Sequence, residues 1–173
     1  IRGKGVAPWT EMGGMNTHIS VAYIALGSNV GDSPGILRRA MDELEKLSAQ
    51  PLRRSSLWQT TPVDCPPGSP TFVNAAIALY PHPQEASASL LRKLQAMETD
   101  FGRRPKQIHN EPRRLDLDLI AYDNEISVRP ELILPHPRAH ERRFVLQPLN
   151  EIAPDLILPG QRQTVAQLLA ALI

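Results

Sequence analysis

The chain has 173 residues, 42% of them hydrophobic, and its 19 basic and 18 acidic side chains give a formal net charge of +1. This composition predicts one globular domain with a substantial core. The balanced charge argues against a nucleic-acid binder, and no apolar run is long enough to predict a membrane span. The single cysteine, Cys65, allows no internal disulfide and indicates a reducing, cytoplasmic setting.

The first predicted elements are a strand and a helix behind an irregular leader. Residues 1–16 carry glycine, proline and charge without periodicity, so we interpret them as a disordered leader and residues 17–173 as the single domain. The apolar run at residues 19–26 predicts a buried strand. The glycine-rich turn after it lacks the Lys-Ser or Lys-Thr of a P-loop. Asp32 or Ser33 is expected to cap the helix that follows.

Two further strands and a second helix are predicted next. Residues 52–60 and 72–80 have strand character, and the proline-rich loop between them is long enough to be a functional lid. Period two places Phe72 and Asn74 on one face, where they could hold a flat polar ring or serve as a core phenylalanine and a strand-end amide. A helix predicted over residues 83–101 places Gln95 and Glu98 together on one side.

The most informative stretch is the alternation LDLDL at residues 115–119, which predicts a strand with one apolar and one acidic face. Asp116 and Asp118 would lie about 6.6 Å apart and repel by roughly 2–3 kcal/mol at an effective dielectric of about 20. Arginine-rich segments flank them at residues 103–114 and 135–144. Mg²⁺ bound by the aspartates would offset their negative charge, and phosphate groups bound by the arginines would offset the positive charge of the flanking segments. The alternative is an ion-paired, solvated surface.

The order strand, helix, strand, strand, helix, strand predicts a ferredoxin-like βαββαβ fold of the α+β class. We expect an antiparallel sheet with helices packed on one face. An apolar stretch at residues 145–152 and a helix that begins at Thr164 form a C-terminal extension.

Four segments, in this order and spacing, resemble the 6-hydroxymethyl-7,8-dihydropterin pyrophosphokinases of folate biosynthesis. They are VAYIALGSN at 21–29, FVNAA at 72–76, PRRLDLD at 112–118, and LPHPR at 134–138 with ERRF at 141–144. The resemblance implies that ATP donates its β,γ-pyrophosphate to the pterin hydroxymethyl group and leaves as AMP. It also implies two Mg²⁺ ions bound with ATP, a monomer, and loops that close over the substrates.

The resemblance also assigns roles to individual residues. Asp116 and Asp118 would hold the two Mg²⁺ ions, while Arg103 and Arg113 would contact the phosphates on closure. The ATP site would be lined by Gln95, Glu98, Arg113, His136 and Arg142. The pterin would be sandwiched by the aromatic rings of Phe72 and Phe144 and hydrogen-bonded at its edge by Asn74. Thr60, Thr61 and Val63 would also line the pterin site. The chain departs from the family pattern at Asn110, Glu131 and Pro137, which bears on loop closure.

Three alternatives stay open on the residues alone. Paired carboxylates also serve two-metal nucleases and nucleotidyltransferases. A ferredoxin-like module can bind RNA, although the aromatic motif on which such modules depend is absent from this sequence. His136 and His140 have a spacing that could bind zinc on a helix, but Pro137 and the lack of a clear third ligand disfavour it.

Overall fold

The computed structural model describes residues 18–60, 66–68, 70–102 and 114–172, so the predicted leader lies outside the described residues. The first half of the described chain contains β1 (Ala22–Ser28), α1 (Ser33–Glu45), β2 (Arg53–Arg54), β3 (Trp58–Thr60), β4 (Phe72–Leu79) and α2 (Ser87–Asp100). The second half contains β5 (Asp116–Tyr122), β6 (Ser127–Arg129), β7 (Leu132–Leu134), a 3-10 turn (Ala139–Glu141), α3 (Arg143–Ile152) and α4 (Val165–Ala171).

The main sheet is antiparallel and has the strand order β2-β4-β1-β5, with β3 also paired to β4. Strands β2 and β3 pair with successive stretches of β4, so they act as one interrupted edge strand. Ser55 bridges the interruption, because its N–H donates to the Ala76 carbonyl and its hydroxyl accepts from the Ala76 N–H, each at 2.9 Å. Counted in this way, the elements follow the predicted βαββαβ order.

Helices cover both faces of this sheet. Helices α1 and α2 pack on one face through a core that includes Ile24, Leu44 and Leu94, as the sequence predicted. The C-terminal extension supplies α3 and α4, which cover the opposite face over small residues such as Ala25 and Ala76. The α+β antiparallel fold is therefore confirmed, and the expected packing of helices on one face holds for α1 and α2, whereas the C-terminal extension covers the other face.

The helix ends follow from local sequence. The Asp32 carboxylate accepts from the Gly35 N–H at 3.2 Å and Pro34 stands in the first turn, which fixes the start of α1. Thr164 and Gln167 form a capping box at α4. Helix α2 begins at Ser87, after the predicted start at residue 83, and Gly102 (φ +93°) follows its C-terminal end. None of the described helices has the length and apolar character needed to cross a membrane.

Candidate active site

The two aspartates project from β5 on the side of α3 and α4. Leu117 and Leu119 belong to the core beneath α1 and α2, and alternation along a strand therefore directs Asp116 and Asp118 to the opposite face. Both aspartates are half-buried, in contrast to the buried leucines between and after them. The structure thus places the acidic face of the predicted strand where a ligand can reach it.

Gly27 separates the acidic pair from the amide of Asn74. It lies directly opposite Asn74 on β4 and directly opposite Asp116 on β5, so the three residues form one row across the sheet. A Cβ added at Gly27 would lie 3.1 Å from Asn74 Oδ1 and 3.9 Å from Phe72 Cδ1. The missing side chain therefore leaves an open floor between the amide and the carboxylates.

Asn74, Thr60 and Phe72 form the side of this floor nearest the sheet edge. Thr60 pairs with Phe72 in the register between β3 and β4, and Trp58 pairs with Asn74. The buried Asn74 amide donates from Nδ2 to Thr60 Oγ1 at 2.6 Å, which turns Oδ1 towards Gly27. Phe72 is half-buried at the start of β4. These contacts bring together three of the predicted pterin-binding residues.

His136, Arg142 and Phe144 come from the segment that leads into α3. The His136 N–H donates to the carbonyl of Ile120 on β5 at 2.8 Å, which anchors this segment beside the acidic strand. His136 Nδ1 accepts the Arg138 N–H at 3.2 Å, so the neutral ring carries its proton on Nε2. Burial and the nearby Arg142 charge lower the pKa of His136, and Asp116 opposes this shift. His136 is therefore a neutral hydrogen-bond donor near Asp116.

The Arg142 guanidinium lies over the ring of Phe144, 5.4 Å from its centroid. Arg142 directly precedes α3 and Phe144 lies in its first turn. A predicted phosphate ligand and a predicted pterin ligand are therefore in direct contact. A movement of either side chain will therefore affect the position of the other.

Glu98 and Gln95 lie on α2, on the other side of β5. The buried Glu98 accepts the Leu117 N–H at 3.0 Å, and this N–H lies between the two aspartates in the chain. Glu98 thus holds the edge of the acidic strand. Gln95 lies about one turn earlier in α2 and is exposed. The structure brings Glu98 into contact with the aspartate strand, whereas the side chain of Gln95 is exposed to solvent.

The donor set suits magnesium. Among the described residues, no three His, Cys, Asp or Glu side chains come together as a metal site, and His136 and His140 do not share a helix. Magnesium keeps several waters and is usually held by one or two carboxylates together with substrate phosphates. Asp116 and Asp118, on one face of one strand, fit this requirement.

Four predicted site residues lie outside the described part of the chain. They are the phosphate ligands Arg103 and Arg113 and the pterin neighbours Thr61 and Val63. Asn110 also lies outside it, whereas Glu131 and Pro137 are both exposed.

Sequence reasoning missed two residues that the structure connects to this site. The sequence pattern assigns Gly27 to the glycine-rich turn after the first strand, whereas the structure places it inside β1, and a glycine in a strand interior often marks close approach of a ligand. The second residue is Glu151 on α3, whose carboxylate accepts hydrogen bonds from Ser56 and from Trp58 of β3. No sequence signal indicates the bonds between Glu151 and these two residues, because they are more than 90 residues apart in the sequence.

The architecture defines a class of protein before any sequence comparison. A solved structure described as HPPK-DHPS in complex with substrates superimposes with a TM-score of 0.70, covering 88% of this chain and 44% of that one. The two sequences are 12% identical over this match, so the likeness establishes the fold alone. The chain is therefore an α+β protein with the fold found in HPPK-DHPS.

Sequence comparison identifies the family. The model of the 7,8-dihydro-6-hydroxymethylpterin-pyrophosphokinase (HPPK) family matches residues 23–154. A Pseudomonas aeruginosa 2-amino-4-hydroxy-6-hydroxymethyldihydropteridine pyrophosphokinase is 38% identical over 88% of this chain and 92% of its own length. The folic acid synthesis protein fol1 of Pneumocystis carinii is 36% identical over 83% of this chain, which spans only 19% of that longer protein. The chain belongs to the HPPK family, as the sequence motifs predicted.

Proposed function

We propose that the chain transfers pyrophosphate from ATP to 6-hydroxymethyl-7,8-dihydropterin on the face of the sheet between Asn74 and Asp116. This Mg²⁺-dependent reaction is the activity of the family to which the chain belongs, and it makes the chain an enzyme of folate biosynthesis. Family membership argues against the nuclease and RNA-binding alternatives.

One observation supports the location most strongly, namely the row of Asn74, Gly27 and Asp116. Neighbouring strands are about 4.8 Å apart, so the backbones of Asn74 and Asp116 are about 9.6 Å apart across the glycine. A flat two-ring pterin bonded to Asn74 would lie over Gly27 and extend its hydroxymethyl arm towards Asp116. Phe72 and Phe144 would stack on its two faces, with Thr60, Thr61 and Val63 around it.

The phosphates would lie at the acidic end of the row. Asp116 and Asp118 would hold two Mg²⁺ ions on ATP, which supply charge neutralisation at the reacting phosphates. Arg103, Arg113 and Arg142 would pair with phosphate oxygens, and neutral His136 would donate through Nε2. Gln95 and Glu98 would line the nucleotide from α2.

Catalysis by these residues is mainly positioning. The pterin hydroxymethyl oxygen attacks the β-phosphorus of ATP, the new O–P bond forms, and the bond from the β-phosphorus to the bridging oxygen of AMP breaks. The hydroxyl proton leaves to solvent, because we assign no side chain as a general base. Asn74 fixes the ring, the two phenylalanines exclude water from it, and the arginines hold the pyrophosphate in line.

The assembly and location of the enzyme are also part of this proposal. We propose that residues 17–173 act as one monomeric domain in the cytoplasm, with ATP and the pterin as its only substrates and without nucleic acid or membrane. Static light scattering of the purified chain tests the monomer directly.

Product analysis tests the reaction. Incubation with Mg²⁺, pterin and ATP should yield equal amounts of AMP and pterin diphosphate, without ADP. Formation of ADP and a pterin monophosphate would contradict transfer from the β-phosphorus. Replacing Asn74 with alanine should raise the KM for pterin far more than the KM for ATP. Equal increases in both would contradict the assigned location.

A further inference from the structure

Strand β3 is a short edge element that carries one side of the pterin site. It has three residues, and its register with β4 sets Trp58 opposite Asn74 and Thr60 opposite Phe72. Backbone pairing over so short a stretch holds a strand weakly, since each hydrogen bond contributes only modestly in net terms. Additional contacts must therefore keep Thr60 in place for its bond with Asn74.

Glu151 supplies such contacts from α3. Its Oε1 accepts the N–H of Ser56 at 3.0 Å and the hydroxyl of Ser56 at 2.5 Å. Its Oε2 accepts the indole N–H of Trp58 at 3.0 Å. One carboxylate thus receives three donors and ties the start of β3 to the helix. The residue is exposed, so changing its chemistry leaves the hydrophobic core intact.

The same helix carries the other side of the pterin site. Phe144 precedes Glu151 by seven residues, which is about two helical turns and about 10.5 Å along the axis. Seven residues return a helix to nearly the same direction, so both side chains lie on one side of α3. Glu151, which bonds to β3, and Phe144, which is proposed to stack on the pterin, therefore lie on one helix of ten residues.

We propose that Glu151 is a positioning residue for the pterin site, which fixes β3 against α3 and so sets the gap between Thr60 and Phe144. The inference rests on the pterin site proposed above. Stacking of the pterin on Phe144 requires the two rings to be in contact. A shift of about 1 Å in the element that positions a substrate can greatly lower catalytic efficiency. Glu151 therefore acts on the substrate through the residues it holds.

A single substitution separates this role from bulk and packing. Glu151→Gln keeps the size of the side chain but offers one acceptor and one donor group in place of two acceptors. If the amide oxygen faces Ser56, the amide NH₂ faces the indole N–H of Trp58, and two donors oppose each other. In the reverse orientation, the amide NH₂ faces the N–H of Ser56 instead. No orientation of the glutamine satisfies all three donors.

The experiment compares Glu151→Gln with a matched control, Glu45→Gln. Glu45 on α1 makes the equivalent tie at the far end of the same edge, since its Oε1 accepts the Leu52 N–H at 3.2 Å and its Oε2 contacts Arg54. Steady-state kinetics give the KM for pterin, the KM for ATP and kcat for each variant. Glu151→Gln should raise the KM for pterin about five-fold and leave the KM for ATP and kcat within about two-fold.

Three outcomes would overturn the proposal. They are an unchanged KM for pterin in Glu151→Gln, equal increases for pterin and ATP, and the same pterin effect in Glu45→Gln. If Glu151→Gln does not fold, Trp58→Phe removes one donor of the clamp and should raise the KM for pterin about two-fold; no change overturns the proposal. Asn74→Ala tells the two failures apart. A normal KM for pterin in Asn74→Ala rejects the pterin site itself, whereas a raised one with no effect of Glu151→Gln rejects only Glu151.

Discussion

Replacing Gly27 with alanine should weaken pterin binding with little net change in the stability of the protein. Gly27 does not adopt a left-handed backbone conformation, so alanine meets no backbone strain there. Gly to Ala changes at compatible positions stabilise proteins by about 0.4–1 kcal/mol, because they reduce the entropy of the unfolded chain. This gain opposes the crowding of Asn74 by the new methyl group, so a loss of function in Gly27→Ala with an unchanged melting temperature would arise in the site.

The size of the effect follows from one contact. The new Cβ would lie 3.1 Å from Asn74 Oδ1. Carbon–oxygen contacts settle at about 3.3–3.6 Å, so the amide must retreat by a few tenths of an ångström. This movement disturbs the bond from Asn74 to Thr60 and the bond proposed to the pterin edge. Loss of one such bond costs about 0.5–1.5 kcal/mol, or roughly two- to twelve-fold in affinity.

Isothermal titration of pterin into the protein with Mg²⁺ and a non-hydrolysable ATP analogue measures this change. The control is the double variant Gly27→Ala with Asn74→Ala, in which the methyl group no longer meets the amide. The effect of Gly27→Ala should largely disappear in that background. Undiminished pterin affinity in the single variant, together with a normal melting temperature, would refute the proposed position of the ring over Gly27.

The remaining predictions concern charge. Asp116→Ala and Asp118→Ala should each abolish turnover while circular dichroism stays unchanged, since only ligands for the proposed metal ions are lost; near-normal activity would reject that role. Arg113→Ala should slow the chemical step in single-turnover kinetics more than it weakens pterin binding, and a collapse of pterin affinity instead would exclude its phosphate role. Burial raises the pKa of Glu151, but the hydrogen bonds from Ser56 and Trp58 lower it by more than burial raises it. The net pKa is therefore below the ordinary value. The ionised carboxylate therefore stabilises the folded state at neutral pH, and this contribution disappears as the pH falls through the folded pKa, below about 4.5. Urea unfolding should show the difference between wild type and Glu151→Gln shrinking over that acidic range, whereas a constant difference would contradict the bonded carboxylate.

Local patterns predicted the parts of the molecule that depend on local physics. The alternation of leucine and aspartate placed both carboxylates on one face of β5, because a strand has a strict period of two. The order of strands and helices predicted the sheet and the layer formed by α1 and α2. The start of α2 was predicted four residues early, because Ala86 at its N-terminus offers no capping side chain to mark the boundary.

Contacts between distant segments were beyond such patterns. The row of Asn74, Gly27 and Asp116 depends on the register of three strands, and a register across long connections is set by the whole core. The bonds from Glu151 to the edge strand likewise join residues that only the complete fold brings together. The motif resemblance named several residues of the proposed site, and the structure added the glycine between Asn74 and Asp116.

The central claim is that Asp116 and Asp118 hold the metal ions of a bound nucleotide. Electron paramagnetic resonance with Mn²⁺ in place of Mg²⁺ tests it directly, in the presence of pterin and an ATP analogue with a non-cleavable α,β bridge. The wild-type chain should bind two Mn²⁺ ions in this complex, and Asp116→Ala and Asp118→Ala should each lose at least one. Wild-type stoichiometry and affinity in both variants would contradict the account.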